Sequence, residues 1–168
     1  MKILIVVDMQ NDFITGDLGS EAAERIVPKV KEKIENFDGR IIFTRDTHFE
    51  NYLDTQEGAK LPVVHCVKGS EGWKICGELS EYAEEIVDKP TFGSLELPDV
   101  IRGGEDKIDE IELCGLCTDI CVISNAMILK AAFPEVKISV DSACCAGVTE
   151  ESHQTALSAM KAVQIEIK

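Results

Sequence analysis

The chain has 168 residues, of which 45% are hydrophobic and 29% charged; this balance predicts a single globular domain with enough apolar side chains to bury a core. Lysine and arginine total 17 against 31 aspartates and glutamates, a formal net charge of −14. That charge repels phosphate backbones and anionic lipid, which argues against nucleic-acid or membrane partners.

Residues Ile3 to Val7 are uninterrupted aliphatics, the pattern of a strand covered on both faces in a parallel sheet, and Asp8 ends the run. The run is too short for a signal peptide and meets an acid where a cleavage site would stand; no segment reaches the apolar length needed to span a bilayer. Glu21 to Phe37 carries Ala22, Ile26, Val30, Ile34 and Phe37 at helical spacing, between Ser20 as N-cap and the breaker Asp38-Gly39. Arg40 to Thr44 reads as a second strand, followed by Asp46. From Thr47 to Gly72 there is no regular period, and so long a loop in a compact domain is usually functional or disordered. Next come a weak helix over Ile75 to Tyr82, a third strand over Glu85 to Asp88, the turn Lys89-Pro90-Thr91-Phe92-Gly93-Ser94, and a short helix over Leu95 to Ile101 ended by Gly103-Gly104. A fourth strand over Ile108 to Leu113 leads into Cys114-Gly115-Leu116-Cys117-Thr118-Asp119-Ile120-Cys121, then a helix over Val122 to Ala132. A fifth strand over Val136 to Val140, a helix from about Glu150 to Lys161 and a last strand over Val163 to Ile167 close the chain.

Strands alternating with helices predict an α/β fold: three α/β/α layers around a mostly parallel, six-stranded sheet. In such a sheet ligands bind beyond the carboxyl ends of the strands. Asp8, Asp46 with His48, Lys89 and Cys121 each follow a successive strand, so all of them gather at one edge.

Cys121 stands where a strand hands over to a helix. There the unpaired N–H groups and the positive end of the helix dipole favour a thiolate, which predicts a lowered thiol pKa and a nucleophile. Asp8 as proton acceptor and Lys89 as a fixed cation complete a catalytic trio. The competing reading makes Cys114, Cys117 and Cys121 small buried hydrophobes, Asp8 a cap and Lys89 a surface charge. Asp46, His48 and His65, with Glu57 between them, form a donor set suited to zinc, manganese or iron with positions open for water or substrate; polar loop residues are the alternative. Phe13, Leu18, Leu61 and Trp73 either wall a small apolar pocket or belong to the core. Seven cysteines leave at least one thiol unpaired in any intramolecular scheme, which predicts a reducing cytoplasm. Cys144-Cys145 reads as packing, and His153 on the last helix as structural and remote from the edge.

These motifs resemble the isochorismatase-like cysteine hydrolase superfamily, and within it the nicotinamidase branch, from Ile3 to Gly147. Val7-Asp8-Met9-Gln10-Asn11-Asp12-Phe13 is similar to the opening motif, Asp46-Thr47-His48 and His65-Cys66-Val67-Lys68-Gly69-Ser70-Glu71-Gly72 to the two metal motifs, Lys89 to Ser94 to the lysine turn and Gly115 to Val122 to the nucleophile turn. The resemblance implies a Rossmann-like topology, Asp8 as general base, Lys89 as its cationic partner and Cys121 as the acylated nucleophile. It also implies a cis peptide between Leu116 and Cys117, with the N–H groups of Cys117 and Cys121 serving as oxyanion hole. A metal held by Asp46, His48 and His65 follows from it, with Glu57 taking the place of a further histidine carried by many relatives. Leu61 occupies the region where nicotinamidases often have tryptophan.

The activity so implied is hydrolysis of a small primary amide to carboxylate and ammonia, with nicotinamide as first candidate. Carbamoyl or ureido amides, isochorismate, and a non-catalytic binding or thiol-redox role are the alternatives. A homodimer or homotetramer is expected of a small α/β domain with exposed apolar residues.

Overall fold

A computed structural model describes residues 1–104 and 107–168. Six strands form one sheet in the order β3-β2-β1-β4-β5-β6, every neighbouring pair parallel. They are β1 (Lys2–Val7), β2 (Arg40–Asp46), β3 (Ile86–Lys89), β4 (Glu110–Leu116), β5 (Lys137–Ala146) and β6 (Glu166–Ile167). The helices are α1 (Asn11–Ile14), α2 (Glu21–Glu35), α3 (Gln56–Lys60), α4 (Leu97–Arg102), α5 (Ile123–Ala132) and α6 (Glu150–Ala162). β1 lies at the centre because its side chains can be hidden on both faces: Ile3 to Val7 are fully buried. Strand order reverses beside β1, and the carboxyl ends of β1, β2, β3 and β4 meet there. Among the described residues no helix is long and apolar enough to cross a membrane.

Several boundaries differ from the sequence reading for identifiable reasons. The helix expected over Ile75 to Tyr82 is only a tight turn at Ser80–Tyr82. Ile75 instead pairs in extended form with Gln10, and the N–H of Cys76 donates to the Met9 carbonyl. The aperiodic stretch after β2 holds α3, capped by the Thr55 hydroxyl accepting from the Gly58 N–H at 3.0 Å. β4 runs on to Leu116 because Gly115 adopts φ +113°, and a Cβ there would lie 2.2 Å from the Val7 carbonyl oxygen. β5 continues past Val140 through Asp141 to Ala146, an extension hidden by polar residues. The last strand is reduced to Glu166–Ile167, since Val163 and Gln164 still bond back to α6.

Those polar residues join an ion cluster on the sheet. Lys33 of α2 contacts Glu112 of β4 and lies 2.6 Å from Asp141 of β5, while Lys168 reaches Glu110 and Glu112. Burial opposes the charge on both Lys33 and Asp141, but their mutual contact prevails, holding the lysine above and the carboxyl below their ordinary values. Lys33→Met should therefore cost about 2 kcal/mol at neutral pH, less than for a fully buried pair because Lys168 remains. The sign follows from linkage. The depressed Asp141 carboxyl stabilises above its unfolded pKa of about 3.9, and the raised Lys33 ammonium below about 10.4. Denaturant unfolding should thus show the wild-type advantage shrinking as pH falls through the carboxylate range; a constant deficit from pH 7 to pH 3 would contradict this assignment.

Candidate active site

Asp8 leaves the end of β1 in the left-handed region, φ +48°, a conformation that Asp tolerates better than most residues and that is over-represented at functional positions. Its carboxylate is fully buried and accepts from the Thr44 hydroxyl at 2.6 Å. Lys89, the last residue of β3, is also fully buried. Its Nζ lies 2.6 Å from Asp8 Oδ2, 3.5 Å from Cys121 Sγ and 3.5 Å from Asp46 Oδ1, and donates to the Thr91 carbonyl at 3.1 Å. One ammonium thus touches the thiol, the carboxylate beside it and the first residue of the histidine cluster.

Cys121 sits in a widened turn. The Leu116–Cys117 peptide is cis, and Thr118–Val122 forms a π-helical turn in which the N–H groups of Val122 and Ile123 reach back to the carbonyls of Cys117 and Thr118. Turns of this kind recur at functional positions inside helices. Regular α5 begins only at Ile123, so Cys121 does not lie at an ordinary helix N-terminus. Asn125 ties the turn to the lysine turn: its Nδ2 donates to the carbonyls of Cys121 at 2.8 Å and Phe92 at 3.2 Å, and its Oδ1 accepts from the Ser94 N–H at 2.9 Å.

The lowered thiol pKa expected for Cys121 is not found. Burial pushes the thiol well above its ordinary value and the Asp8 charge adds to this, with Lys89 opposing. Burial likewise raises Asp8 against the pull of Lys89. Lys89 is raised although burial works against its charge, because Asp8, Cys121 and Asp46 surround it. A buried site with one cation accommodates one anion far better than two. Thiolate is therefore favoured only when the Asp8 carboxylate takes up the proton, an exchange that leaves the net charge unchanged.

Beside the trio, Asp46, His48, Glu57 and His65 present one ligand atom each, all within 4.8 Å of one another. His48 Nε2 lies 2.8 Å from Asp46 Oδ2 and 3.5 Å from Glu57 Oε1; His65 Nε2 lies 3.5 Å and 3.7 Å from the same two oxygens. His65 Nδ1 is engaged by the Val63 carbonyl at 2.7 Å, which turns Nε2 inward. His48 Nε2 is buried without a well-aligned hydrogen-bond partner. Two imidazoles and two carboxylates converging in this way fit a divalent cation. The same crowding acts on the protonation equilibria: burial opposes charge on His48, yet Asp46 and Glu57 push it up to about 9, and Asp46 is held far below the usual carboxylate range against the effect of its own burial.

The residues named for a pocket have separate surroundings. The Phe13 ring lies 5.5 Å from that of His65. Trp73 donates through Nε1 to the Thr47 hydroxyl at 2.9 Å, and one ring face is covered by Arg45 at 3.6 Å. Leu18 is half-buried, and Leu61 is 39% exposed. The sequence reading missed the residues that brace the histidine segments. Gln10, fully buried, accepts from the Asp46 N–H at 2.7 Å and donates to the Asp46 and Trp73 carbonyls at 2.9 Å each. Asp12 accepts from the Cys66 N–H at 2.7 Å, an approach that Gly72 allows, since a Cβ there would meet the Asp12 carboxylate at 2.1 Å. Both belong to the opening motif, so their position beside Asp8 was the available signal. The Tyr52 ring lies 4.6 Å from His48. His153, read as remote, hydrogen-bonds Thr118 in the turn that carries Cys121.

Comparison with known proteins agrees with this architecture. The chain is 31% identical over 175 residues to the uncharacterized isochorismatase family protein PncA of Bacillus subtilis, covering 94% of this chain and 92% of that one. It is 32% identical over 123 residues to the nicotinamidase of Saccharomyces cerevisiae, covering 53% and 56%. Among solved structures, the pyrazinamidase of Pyrococcus horikoshii in complex with zinc superposes with a TM-score of 0.87 at 29% identity, covering 99% of this chain and 98% of that one. Residues 2–167 match the isochorismatase domain, and the chain belongs to the isochorismatase family.

Proposed function

We propose that this hydrolase of amide C–N bonds converts nicotinamide to nicotinic acid and ammonia, with Cys121 as nucleophile, Asp8 as general base and acid, and Lys89 as the cation that holds both. The observation that carries the reading is the Lys89 ammonium within 3.5 Å of the Cys121 sulfur and 2.6 Å of the Asp8 carboxylate.

The chemistry follows from the charge constraint. As the sulfur attacks the amide carbonyl, the thiol proton passes to Asp8, and Lys89 stays paired with whichever atom is anionic. The N–H groups of Cys117 and Cys121 receive the developing oxyanion, a contribution of a few kcal/mol where such donors are pre-aimed. Asp8 then returns the proton to the departing nitrogen, which leaves as ammonia, and an acyl thioester remains on Cys121. Water, deprotonated by Asp8, cleaves the thioester, and the proton goes back to the sulfur. Asp46, His48, Glu57 and His65 would hold a zinc, manganese or iron ion, supplying an open coordination position for water or the pyridine nitrogen. Phe13, whose ring lies 5.5 Å from that of His65, is assigned to the substrate side of this arrangement.

Ammonia release from nicotinamide tests the proposal. Turnover should fall below about a tenth on chelation and return with zinc, manganese or iron, as expected where the ion orients substrate. No turnover by the metal-loaded protein would discard nicotinamide and direct the search to carbamoyl and ureido amides.

A further inference from the structure

Of the three histidines in the chain, two belong to the ligand cluster. The third, His153, lies on the first turn of α6, on the other side of the nucleophile turn from Lys89's strand in the sheet order. The residue is 8% exposed, and its Nδ1 lies 2.7 Å from the hydroxyl of Thr118, which is fully buried. Thr118 opens the π-helical turn, three residues before Cys121, and its carbonyl accepts one of the two long backbone bonds that define the turn. A second contact is made one residue on, where Asp119 Oδ1 accepts from the Val148 N–H at 3.1 Å.

The gripping element is itself rigidly placed. Thr149 caps α6 by accepting from the Ser152 N–H at 3.0 Å, and Ser152 Oγ accepts from the Thr149 N–H at 3.1 Å, a reciprocal pair that fixes where the helix begins. Gly147 lets the corner close, since a Cβ there would come 2.9 Å from His153 Cβ and 3.1 Å from Asp119 Oδ1. The corner between β5 and α6 therefore holds the turn at two consecutive residues, one contact buried and one exposed. A π-helical turn spans five residues per backbone bond and is less regular than the helix that follows, so side-chain contacts from outside have more influence on its shape. A hydrogen bond between two buried side chains is also costly to leave half-made, because either partner alone would be stranded.

We propose that His153, acting through Thr118, is a positioning residue for the nucleophile: it sets the widened turn so that the Cys121 sulfur meets Lys89 and Asp8. The proposal rests on the reading of Cys121 as nucleophile, but it can be tested without the substrate. Thr118→Val removes the hydroxyl at nearly constant shape and His153→Phe removes the ring nitrogen. Thr118→Ser keeps a hydroxyl, and His153→Asn places an amide where Nδ1 stood. The readouts on the full-length, metal-loaded protein are the rate of Cys121 alkylation by iodoacetamide, followed on its peptide by mass spectrometry, and kcat and KM for nicotinamide.

Thr118→Val and His153→Phe should each change the alkylation rate at Cys121 by about tenfold or more and lower kcat by about ten- to a hundredfold with KM within about twofold, as expected of a small misplacement of a reacting group. The double variant should be no worse than either single one, because both remove the same bond. Thr118→Ser and His153→Asn should recover most of each loss; these two keep the test decisive if a stronger variant fails to fold. Wild-type alkylation and kcat in folded Thr118→Val or His153→Phe, or losses that multiply in the double variant, would overturn the proposal. So would Thr118→Ser and His153→Asn proteins as impaired as the variants that lack the bond. If wild-type protein leaves nicotinamide untouched while alkylation responds as described, the substrate assignment fails and the positioning role stands.

Discussion

Cys121→Ala should abolish ammonia release, by at least about 10⁴-fold in kcat, while the protein stays folded. In the proposed mechanism both half-reactions turn on this sulfur, so the magnitude is that of losing the nucleophile altogether. Truncating a buried cysteine to alanine removes one sulfur and leaves a small cavity, a cost of about 1 kcal/mol that a domain of ordinary stability tolerates. Cys121→Ser is the sharper variant. Burial and the Asp8 charge already push the thiol up, and a hydroxyl starts from a far higher pKa, so the same site should activate serine poorly and lose about 10³-fold or more. Retention of turnover within tenfold in either variant, measured as ammonia release beside thermal unfolding, would remove the covalent mechanism. An acyl adduct on the Cys121 peptide from quenched wild-type protein, absent from Cys121→Ala, would support it directly.

What could be read in the sequence follows from where the signals are local. An aliphatic run ended by an acid marks β1 and Asp8 without reference to the rest of the chain, and the carboxyl-edge rule then gathers Asp46, Lys89 and Cys121 from three other strand ends. The structure has that edge, and the six-stranded sheet is parallel throughout. The less legible features depend on contacts distant in sequence. Nothing around Lys89 announces that its side chain is fully buried, because a lysine after a short strand usually faces water. Glu57 reaches His48 and His65 from α3, a helix of 5 residues too short for a periodic signal. The continuation of β5 past Asp141 is invisible until Lys33 is found beside that carboxylate. The helix-dipole argument for Cys121 failed through geometry: the turn is π-helical and the thiol buried, so desolvation outweighs the dipole. The sequence places His153 on the last helix, away from the carboxyl edge, yet the β5-to-α6 corner brings it to the turn that carries Cys121.

Lys89→Met should lower kcat by about 10³-fold and leave metal content unchanged or higher. The ammonium lies 2.6 Å from Asp8 and 3.5 Å from Cys121, and among the described residues no other cation is paired with that carboxylate. Without it, proton transfer from sulfur to Asp8 would leave a buried thiolate with no partner, a state whose desolvation cost is several kcal/mol, and each 1.4 kcal/mol of that cost is about a tenfold loss of rate. Methionine keeps the apolar stem and much of the volume, so the packing around the end of β3 should survive, at a stability cost of about 3 kcal/mol for the stranded Asp8 carboxylate. The metal set should respond in the opposite sense. Lys89 Nζ lies 3.5 Å from Asp46 Oδ1, so a divalent ion on Asp46 sits near a like charge, and removing that charge relieves repulsion worth about 1 kcal/mol or more at an effective dielectric near that of a protein surface. Steady-state ammonia release together with metal content after dialysis separates the two effects. Loss of activity with zinc retained places Lys89 in the proton-transfer step; activity and metal lost in parallel would make it a support of the metal site instead, and the trio would have to be redrawn around Asp8 and Cys121 alone.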